Sequence, residues 1–272
     1  MNSRLHLCIL GSGSKGNAAI LEGPRSSLMI DCGLSFQETV HRCQHCSVDL
    51  QRISALLLTH EHVDHTRGAI SWYKHFGTTI ISTAETAMAR KSLSQLPIEC
   101  IGHSDTFEIS GICIQSFPTS HDAADPIGFR FSLKDPAEKE LDTVGFCTDT
   151  GYLTIEACNA LYGCRILGIE ANHDKDMLTG GTYPAFLKER VGGRRGHLSN
   201  CQTAEALPSL LSKKTEAVVA LHLSEQNNRP QLCMQALAEA AGAIAVNTHL
   251  ARTTDGSLSV YVASQDNPLF IQ

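Results

Sequence analysis

The sequence lacks long apolar runs. None of its 272 residues belongs to a stretch near the roughly 20 apolar residues of a transmembrane helix. The opening segment MNSRLHLCILGSGS reaches a glycine-rich turn too early for the apolar core of roughly 7–15 residues in a secretory signal peptide. Linkers, low-complexity stretches and short repeats are also missing. We therefore expect a cytoplasmic protein without a membrane segment, folded as a single domain over residues 1–272.

The chain also lacks an excess of positive charge. It carries 22 Lys and Arg against 28 Asp and Glu, for a formal net charge of −6. Proteins that coat nucleic acid without specificity are usually basic, so the charge balance argues against that class. It remains compatible with an enzyme whose carboxylates bind metal, because the bound cations offset the negative charge locally.

The cysteines do not form a disulfide framework. Their number is odd, eleven, and they are scattered along a long chain, which favours reduced thiols in the cytosol. Cys43 and Cys46 form a C-x-x-C pair with His41 and His45 nearby, but no second pair completes a tetrahedral metal site. We interpret this pair as incidental.

The apolar pattern predicts a mixed α/β (α+β) fold. Short apolar or alternating runs bounded by turn residues predict the following strands: 5–10, 18–22, 28–31, 53–59, 79–82, a hairpin over 106–117, 128–133, 144–148, 165–170 and 217–221. Helical spacing predicts helices over 65–75, 85–95, 153–161, 183–191, 202–212 and 229–241. Two β-rich layers with helices outside them are the expected architecture.

Gly11, Gly13 and Gly16 spell G-x-G-x-x-G after a strand, and Asp31 lies twenty residues beyond Gly11. A dinucleotide-binding fingerprint would need a helix to open at the third glycine, so that its N-terminus faces the pyrophosphate. Here the following residues NAAILEG favour a short strand instead. We therefore predict a tight turn between strands and not a nucleotide site.

The segment HEHVDH at 60–65 concentrates potential metal ligands directly after a buried strand. Imidazole and carboxylate are ligands that zinc and related divalent metals prefer. His60 and His62 alternate at the strand end and can reach one ion, while Asp64 and His65 lie at the start of a helix and can reach a second. A polar turn with solvated histidines is the alternative, but three histidines and one acid at this spacing favour a metal site.

HEHVDH resembles the H-x-H-x-D-H signature of the metallo-β-lactamase superfamily. Further motifs follow in the order of that family: SHD contains His121, CTDTG contains Asp149 and ALHLS contains His222. The resemblance extends from Leu7 to about Asn228 and implies an αββα sandwich. It also implies two divalent ions: the first is bound by His60, His62 and His121, the second by Asp64, His65 and His222, and Asp149 bridges them.

The motifs GSGSKGN, HEHVDHTRGA, SHDAADPIGF, EANHD and GHLSN resemble the YycJ/WalJ (VicX) branch, which is similar to ribonuclease Z. The resemblance implies a metal-dependent phosphodiester hydrolase, a 5′→3′ DNA exonuclease whose two metals activate a hydroxide. The nucleic-acid substrate is expected to be DNA rather than RNA. The metals stay open between zinc, manganese and iron, and the oligomeric state stays open as well.

Four other interpretations compete with the exonuclease. A small-substrate phosphodiesterase of the cyclic-nucleotide type would share every ligand and differ in the size of its groove. A β-lactamase or thioesterase fits Asp149 and the GHLSN motif less well, and ribonuclease Z is disfavoured because the chain has no long inserted arm. A non-catalytic regulatory partner is disfavoured because such a relative is expected to lose ligands, and all seven are kept.

The resemblance also suggests catalytic roles. Asp64 is expected to act in catalysis as well as in metal binding. His197 in GHLSN resembles the catalytic histidine of the ribonuclease Z branch, and we expect it to protonate the leaving oxygen. Glu170 is the candidate that orients His197, and Asp31 is the candidate that braces the histidine turn. The alternatives are a loop histidine, a solvated strand-end acid and a turn aspartate.

The basic segment KERVGGRRGH precedes His197. Arg194 and Arg195, together with Ser199 and Asn200, are the predicted substrate-binding residues, because a basic loop beside the site suits backbone phosphates. Lys188 and Arg190 belong to the same run. A solvated charge run is the alternative interpretation.

Overall fold

A computed structural model describes residues 4–272 of the chain. Residues 1–3, which belong to the predicted domain over 1–272, lie outside the described residues. The chain divides into two compact units. The first unit comprises the residues up to Pro118 together with Ala123–Thr143 and Ser264–Gln272, and the second comprises Thr119–Asp122 and Val144–Ala263.

The strands of the described chain form two sheets. In chain order they are β1 (His6–Gly11), β2 (Ala18–Glu22), β3 (Ser27–Ile30), β4 (Ile53–Leu57), β5 (Thr79–Thr83), β6 (Ile98–Ile101), β7 (Thr106–Ile109), β8 (Ile112–Pro118), β9 (Ile127–Lys134), β10 (Glu140–Cys147), β11 (Ile166–Glu170), β12 (Ala217–Leu221), β13 (Ile244–Asn247), β14 (Leu250–Arg252), β15 (Ser259–Val262) and β16 (Leu269–Ile271).

The helices alternate with these strands. In chain order they are α1 (Phe36–His45), α2 (Val63–Thr66), α3 (Ala69–Phe76), α4 (Ala84–Ala89), α5 (Ile155–Leu161), α6 (Lys175–Gly180), α7 (Ala185–Gly192), α8 (Asn200–Leu210) and α9 (Pro230–Ala240). A short 3₁₀ turn at Leu50–Arg52 leads into β4. Among residues 4–272, no helix is both long and apolar enough to cross a membrane.

The first unit holds the sheet with the strand order β16-β1-β2-β3-β4-β5-β6. β1, β2 and β3 are antiparallel neighbours, whereas β3, β4, β5 and β6 run parallel. One face of this sheet packs on a core that includes Leu56 and Trp72, against which Phe36 and Tyr73 also pack. Since β3 and β4 are parallel neighbours, the residues that follow them lie at the same edge of the sheet.

The second unit also contains a run of parallel strands, which begins with the end of β10. β10, β11, β12 and β15 are parallel neighbours there, and β14 and β13 continue antiparallel. Every residue of β11 and β12 is buried, as expected for central parallel strands with both faces covered. The residues that follow β10, β11 and β12 therefore lie at one edge of the unit.

The predicted mixed α/β class with two sheets is confirmed, and β2 and β12 have the predicted bounds. The helix predicted over 85–95 is wrong in length, because α4 ends at Ala89. Arg90 leaves the helix with an extended backbone, and its guanidinium donates to Glu61 O at 3.4 Å and Thr66 Oγ1 at 3.1 Å. These contacts favour the extended backbone at Arg90, although the sequence of residues 85–95 favours a longer helix.

The glycine segment 11–16 is confirmed as a turn between β1 and β2, and no helix follows it. The sequence analysis placed no element at β6 or at α6. Both are short, and no residue of β6 is buried, so neither shows the apolar period on which the prediction depends.

Candidate metal-binding and catalytic site

In the first unit, four predicted ligands lie between the end of β4 and the start of α3. We call His60, His62, Asp64 and His65 the first ligand group. His60 and His65 are almost fully buried, and their ring centroids are 4.2 Å apart. His62 is half-buried, with its ring 4.6 Å from that of His60. α2 begins directly after His62 and therefore places Asp64 and His65 on the adjoining turn.

Asp31 forms hydrogen bonds with Thr59 and His65 and so fixes part of the first ligand group. It follows β3, is buried, and adopts a left-handed backbone with φ 58°. Its carboxylate accepts from the Thr59 N–H at 2.8 Å, from Thr59 Oγ1 at 2.9 Å and from His65 Nδ1 at 2.7 Å. Thr59 Oγ1 is in turn 3.0 Å from His60 Nδ1.

This arrangement favours one tautomer in each of two predicted ligands, His60 and His65. An N–H at Nδ1 that bonds to Asp31 or Thr59 leaves the lone pair at Nε2, the atom that would then be available to a metal. The carboxylate–histidine pairing is the usual support for a metal-bound imidazole. The bracing role predicted for Asp31 agrees with these contacts.

The glycine turn contributes a residue that the sequence analysis missed. Asn17 Nδ2 lies 3.0 Å from His65 Nε2 and 3.4 Å from Asp64 Oδ2. Asn17 also donates its backbone N–H to Asp64 O at 2.7 Å. A side chain at Gly33 would clash with that same Asp64 carbonyl. The signal was present in GSGSKGN, whose asparagine ends a tight turn beside the ligand segment.

In the second unit, two predicted ligands and the predicted orienting residue Glu170 lie at the ends of three neighbouring parallel strands. Asp149 follows β10, Glu170 ends β11 and His222 follows β12, and all three are buried. Glu170 pairs in register with Leu221, the residue before His222. Asp149 and His222 have left-handed backbones with φ 53° and 56°. Such conformations are uncommon outside glycine and are concentrated at functional sites.

Asp149 lies at the centre of what we call the second ligand group, the predicted ligands His121, Asp149 and His222. Its Oδ1 is 3.2 Å from His222 Nδ1, 3.6 Å from His197 Nδ1 and 3.7 Å from His121 Nε2. His121 comes from the short segment Thr119–Asp122 that belongs to this unit. Burial lowers the pKa of His121, which favours the neutral imidazole that a metal ligand needs.

Glu170 holds two histidines at once. Its Oε1 accepts from His197 Nδ1 at 2.7 Å and from His222 Nδ1 at 3.0 Å. Its Oε2 accepts from the backbone N–H groups of Thr150 at 2.9 Å and Leu198 at 3.1 Å. Burial would raise the pKa of Glu170, but the charge of His197 and the hydrogen bonds from His197 and His222 lower it. The contact with His197 is the one that an orienting role requires, and that role stays a prediction; the sequence analysis did not anticipate the contact with His222.

The basic loop forms hydrogen bonds with the predicted ligand His121. His121 Nδ1 donates to Gly196 O at 2.9 Å, and Arg195 Nε donates to His121 O at 3.2 Å. Arg194 is exposed and its guanidinium lies 4.4 Å from the centre of the Tyr152 ring. Both arginines predicted to bind substrate therefore belong to a loop fixed against the second ligand group.

Ser199 and Asn200 are placed differently. Ser199 is fully buried and forms a capping box with Gln202 at the start of α8. The side chains of Asn200 and Asn228 exchange hydrogen bonds of 2.9 Å. These contacts hold the start of α8, and the substrate-binding role of Ser199 and Asn200 stays a prediction.

The donor chemistry of both groups fits divalent metal. Each unit supplies imidazole and carboxylate ligands in a compact cluster, and in the second unit Asp149, Glu170, His197 and His222 offer donor atoms within 4.8 Å of one another. Histidine and carboxylate together suit zinc, manganese or iron. Histidines braced by carboxylates, as at Asp31 and Glu170, are typical of metal centres and not of solvated surface histidines.

Comparison with known proteins agrees with this chemistry. A family model described as a beta-lactamase superfamily domain matches residues 27–223. The chain therefore belongs to this superfamily, whose metallo-β-lactamase fold implies divalent-metal binding.

Among particular relatives, the chain is 34% identical over 232 residues to exodeoxyribonuclease WalJ of Streptococcus pneumoniae, covering 82% of this chain and 83% of that protein. It is 29% identical over 241 residues to exodeoxyribonuclease YycJ of Bacillus anthracis, covering 86% and 88%. The structure of Zn²⁺-bound PqqB from Methylobacterium extorquens matches with a TM-score of 0.68 at 15% identity, over 97% of this chain and 99% of that one. This last likeness confirms the fold alone.

Proposed function

We propose that the protein is a metal-dependent phosphodiester hydrolase that degrades DNA from an end, in the 5′→3′ direction. The observation that carries the proposal is the Glu170–His197 pair beside Asp149, with 2.7 Å between Glu170 Oε1 and His197 Nδ1. An imidazole held in this way suits proton transfer to a leaving oxygen. The relatives named exodeoxyribonuclease support the choice of DNA.

The proposal assigns two divalent ions, zinc, manganese or iron, to the ligands that the family pattern predicts: His60, His62 and His121 for one ion, Asp64, His65 and His222 for the other, and Asp149 for both. When bound, the ions supply an activated water and neutralise charge on the phosphate. The assignment across the two units rests on the order of the motifs in the sequence.

The protein's own residues handle the leaving group. In hydrolysis a water oxygen joins phosphorus, the bond from phosphorus to the leaving oxygen breaks, and that oxygen takes a proton. His197 Nε2 is the proposed proton donor, because Nδ1 is bonded to Glu170. The Glu170 carboxylate stabilises the protonated ring and keeps it oriented. Asp64 is proposed to position the attacking water, and Arg194 and Arg195 to bind backbone phosphates.

The test is degradation of end-labelled DNA and RNA strands, single and double, with added Mn²⁺ or Zn²⁺. Wild type is compared with Asp64→Ala and His197→Ala, and the exposed His45→Ala is the matched control. We expect loss of nucleotides from one DNA end in wild type and in the control, with at least a 100-fold slower rate in both site variants.

Two results would contradict the proposal. Equal rates for wild type and His197→Ala would remove the proton-transfer role. Absence of activity on every polymer, with turnover of a cyclic nucleotide or another small phosphodiester, would show that the protein is a small-substrate phosphodiesterase. The same experiment reads the direction of cutting and the preference between DNA and RNA from the labelled ends.

A further inference from the structure

Tyr152 is an exposed aromatic residue beside the second ligand group. It follows Asp149 by three residues, so the Cα atoms of the two residues are at most about 11 Å apart. Tyr152 is 38% exposed, whereas Thr150 and Gly151 before it are buried. A tyrosine ring offers a large apolar face and a polar tip, which is why tyrosine is common in binding surfaces.

The guanidinium of Arg194 lies over the Tyr152 ring, 4.4 Å from its centre. Arg194 is itself exposed. A guanidinium on an aromatic ring makes contact through its flat face, so its N–H groups stay directed outward in its own plane, where they can reach phosphate. Tyr152 keeps its exposure with the guanidinium in place. The pair therefore presents an aromatic surface and a cation to solvent at the same point.

Backbone contacts hold the loops of these two residues against each other. Ser120 Oγ donates to Arg194 O at 2.8 Å, and the Gly151 N–H donates to Ser120 O at 2.8 Å. A Cβ atom on Gly151 would overlap the Arg194 carbonyl, so glycine is needed for this close approach. Thr150 Oγ1 donates to Tyr152 O at 2.6 Å. The ring and the guanidinium are therefore carried by a fixed backbone.

The same segments carry a predicted ligand and the proposed proton donor. Ser120 directly precedes the predicted ligand His121. Arg194 lies three residues before His197, the same separation that joins Tyr152 to the bridging aspartate. A strand whose phosphodiester lies at the ligands therefore has a neighbouring nucleotide within reach of Tyr152.

We propose that the Tyr152–Arg194 pair binds the nucleotide next to the bond that is cut, with its base stacked on the tyrosine ring and its phosphate bonded to the guanidinium. This role rests on the proposed nuclease function and adds a substrate-binding residue to it. Aromatic side chains bind single strands in this way without selecting a sequence, because every base has a π-face. The pair suits an enzyme that removes nucleotides in succession, since each newly exposed base offers the same face.

Binding of single-stranded DNA to the metal-loaded protein is measured by fluorescence anisotropy. The probes are short phosphorothioate strands that resist hydrolysis. Each has one abasic residue, moved stepwise from either end, and is compared with the intact strand. For wild type we expect one position near an end at which loss of the base weakens binding about tenfold. Tyr152→Ala is expected to bind the intact strand that much more weakly, and to bind this abasic strand as wild type does, which also shows that the variant is folded.

Tyr152→Phe keeps the ring and is expected to bind both strands as wild type does. Tyr162→Ala is the matched control, because Tyr162 is an exposed tyrosine of the same unit, directly after α5. Equal affinity of wild type for the intact strand and for every abasic strand would overturn the proposal. A Tyr152→Ala protein that is as sensitive to base loss as wild type would overturn it as well.

The binding measurement needs no hydrolysis, so the two proposals can fail separately. Base-dependent binding that requires Tyr152, in a protein that degrades no DNA, would contradict the nuclease function alone. Degradation of DNA by a protein whose binding does not depend on any base would contradict the stacking role alone.

Discussion

At the scale of single residues, buried carboxylates determine how the histidines are presented. Asp31 in one unit and Glu170 in the other each bind the Nδ1 of a histidine, at 2.7 Å in both cases. Both carboxylates are buried, so their bonds are not shared with bulk water. The rings of His65 and His197 are therefore oriented by the protein itself, which would lower the cost of assembling a metal centre beside them.

Glu170→Gln tests this orienting role. The amide N–H₂ group would face either the backbone N–H groups of Thr150 and Leu198 or the Nδ1 atoms of His197 and His222, so one of these two pairs would lose its acceptor. We expect DNA hydrolysis and metal affinity to fall by about 10- to 100-fold. The measurements are kcat and the metal content of the purified variant.

The control for that change is Glu205→Gln, an exposed glutamate on α8. The Glu205→Gln variant is expected to keep the wild-type kcat and the wild-type metal content. Wild-type kcat and metal content in Glu170→Gln would mean that the carboxylate only fills space in the core.

At the scale of elements, α8 begins at a residue that was predicted to bind substrate. Ser199 Oγ accepts from the Gln202 N–H at 3.2 Å, and Gln202 Oε1 accepts from the Ser199 N–H at 2.9 Å. Together they satisfy two of the amide groups that the start of a helix leaves open. α8 in turn carries Thr203, whose hydroxyl donates to Glu170 O, so the cap also supports the end of β11.

Ser199→Ala should therefore destabilise the protein by about 1 kcal/mol, the usual cost of losing an N-cap. Urea denaturation followed by circular dichroism gives the change in free energy of unfolding. Ser209→Ala, an exposed serine further along α8, is expected to change it by less than about 0.5 kcal/mol. A Ser199→Ala protein as stable as the Ser209→Ala protein would show that the cap contributes nothing.

The strands were largely predictable from sequence, whereas the partners of the ligands were not. Runs such as 217–221 are short, apolar and bounded by turns, which is sufficient to identify a buried strand. That Glu170 reaches His222 as well as His197 depends on the register of β11 against β12, which no local pattern encodes. Asn17 was missed for the same reason, because its contact with His65 joins residues 48 positions apart.

At the scale of the whole molecule, the cysteines divide by burial. Cys100 and Cys201 are exposed, and six others are buried: Cys8, Cys32, Cys43, Cys147, Cys164 and Cys233. Burial raises the pKa of Cys32 and of Cys43 to about 12. Since the thiolate is the reactive form, these thiols are inert at neutral and mildly alkaline pH.

Iodoacetamide should accordingly label Cys100 and Cys201 in the folded protein and reach the buried cysteines only after unfolding. Peptide mass spectrometry over a time course at mildly alkaline pH measures each site separately. Labelling of Cys32 or Cys43 as fast as Cys100 in the folded protein would contradict the burial that the structure shows.

The family was predictable because the residues of each of its motifs, HEHVDH, SHD, CTDTG and ALHLS, are contiguous in the sequence. The division into two compact units was not predictable, because each unit is formed by segments that are separated in the sequence, such as Ser264–Gln272 in the first unit. The single domain over 1–272 and the cytoplasmic location stay predictions.

The central claim is that bound divalent metal enables the protein to cut DNA, and metal removal tests it most directly. The rate of nucleotide release from end-labelled DNA is measured before chelation, after chelation and after Mn²⁺ or Zn²⁺ is returned, for wild type, Asp149→Asn and the exposed control Asp266→Asn. We predict that chelation abolishes release, that added metal restores it in wild type and in Asp266→Asn, and that Asp149→Asn stays at least 100-fold slower throughout. Release that persists at the original rate in the chelated protein, or in Asp149→Asn, would contradict the claim.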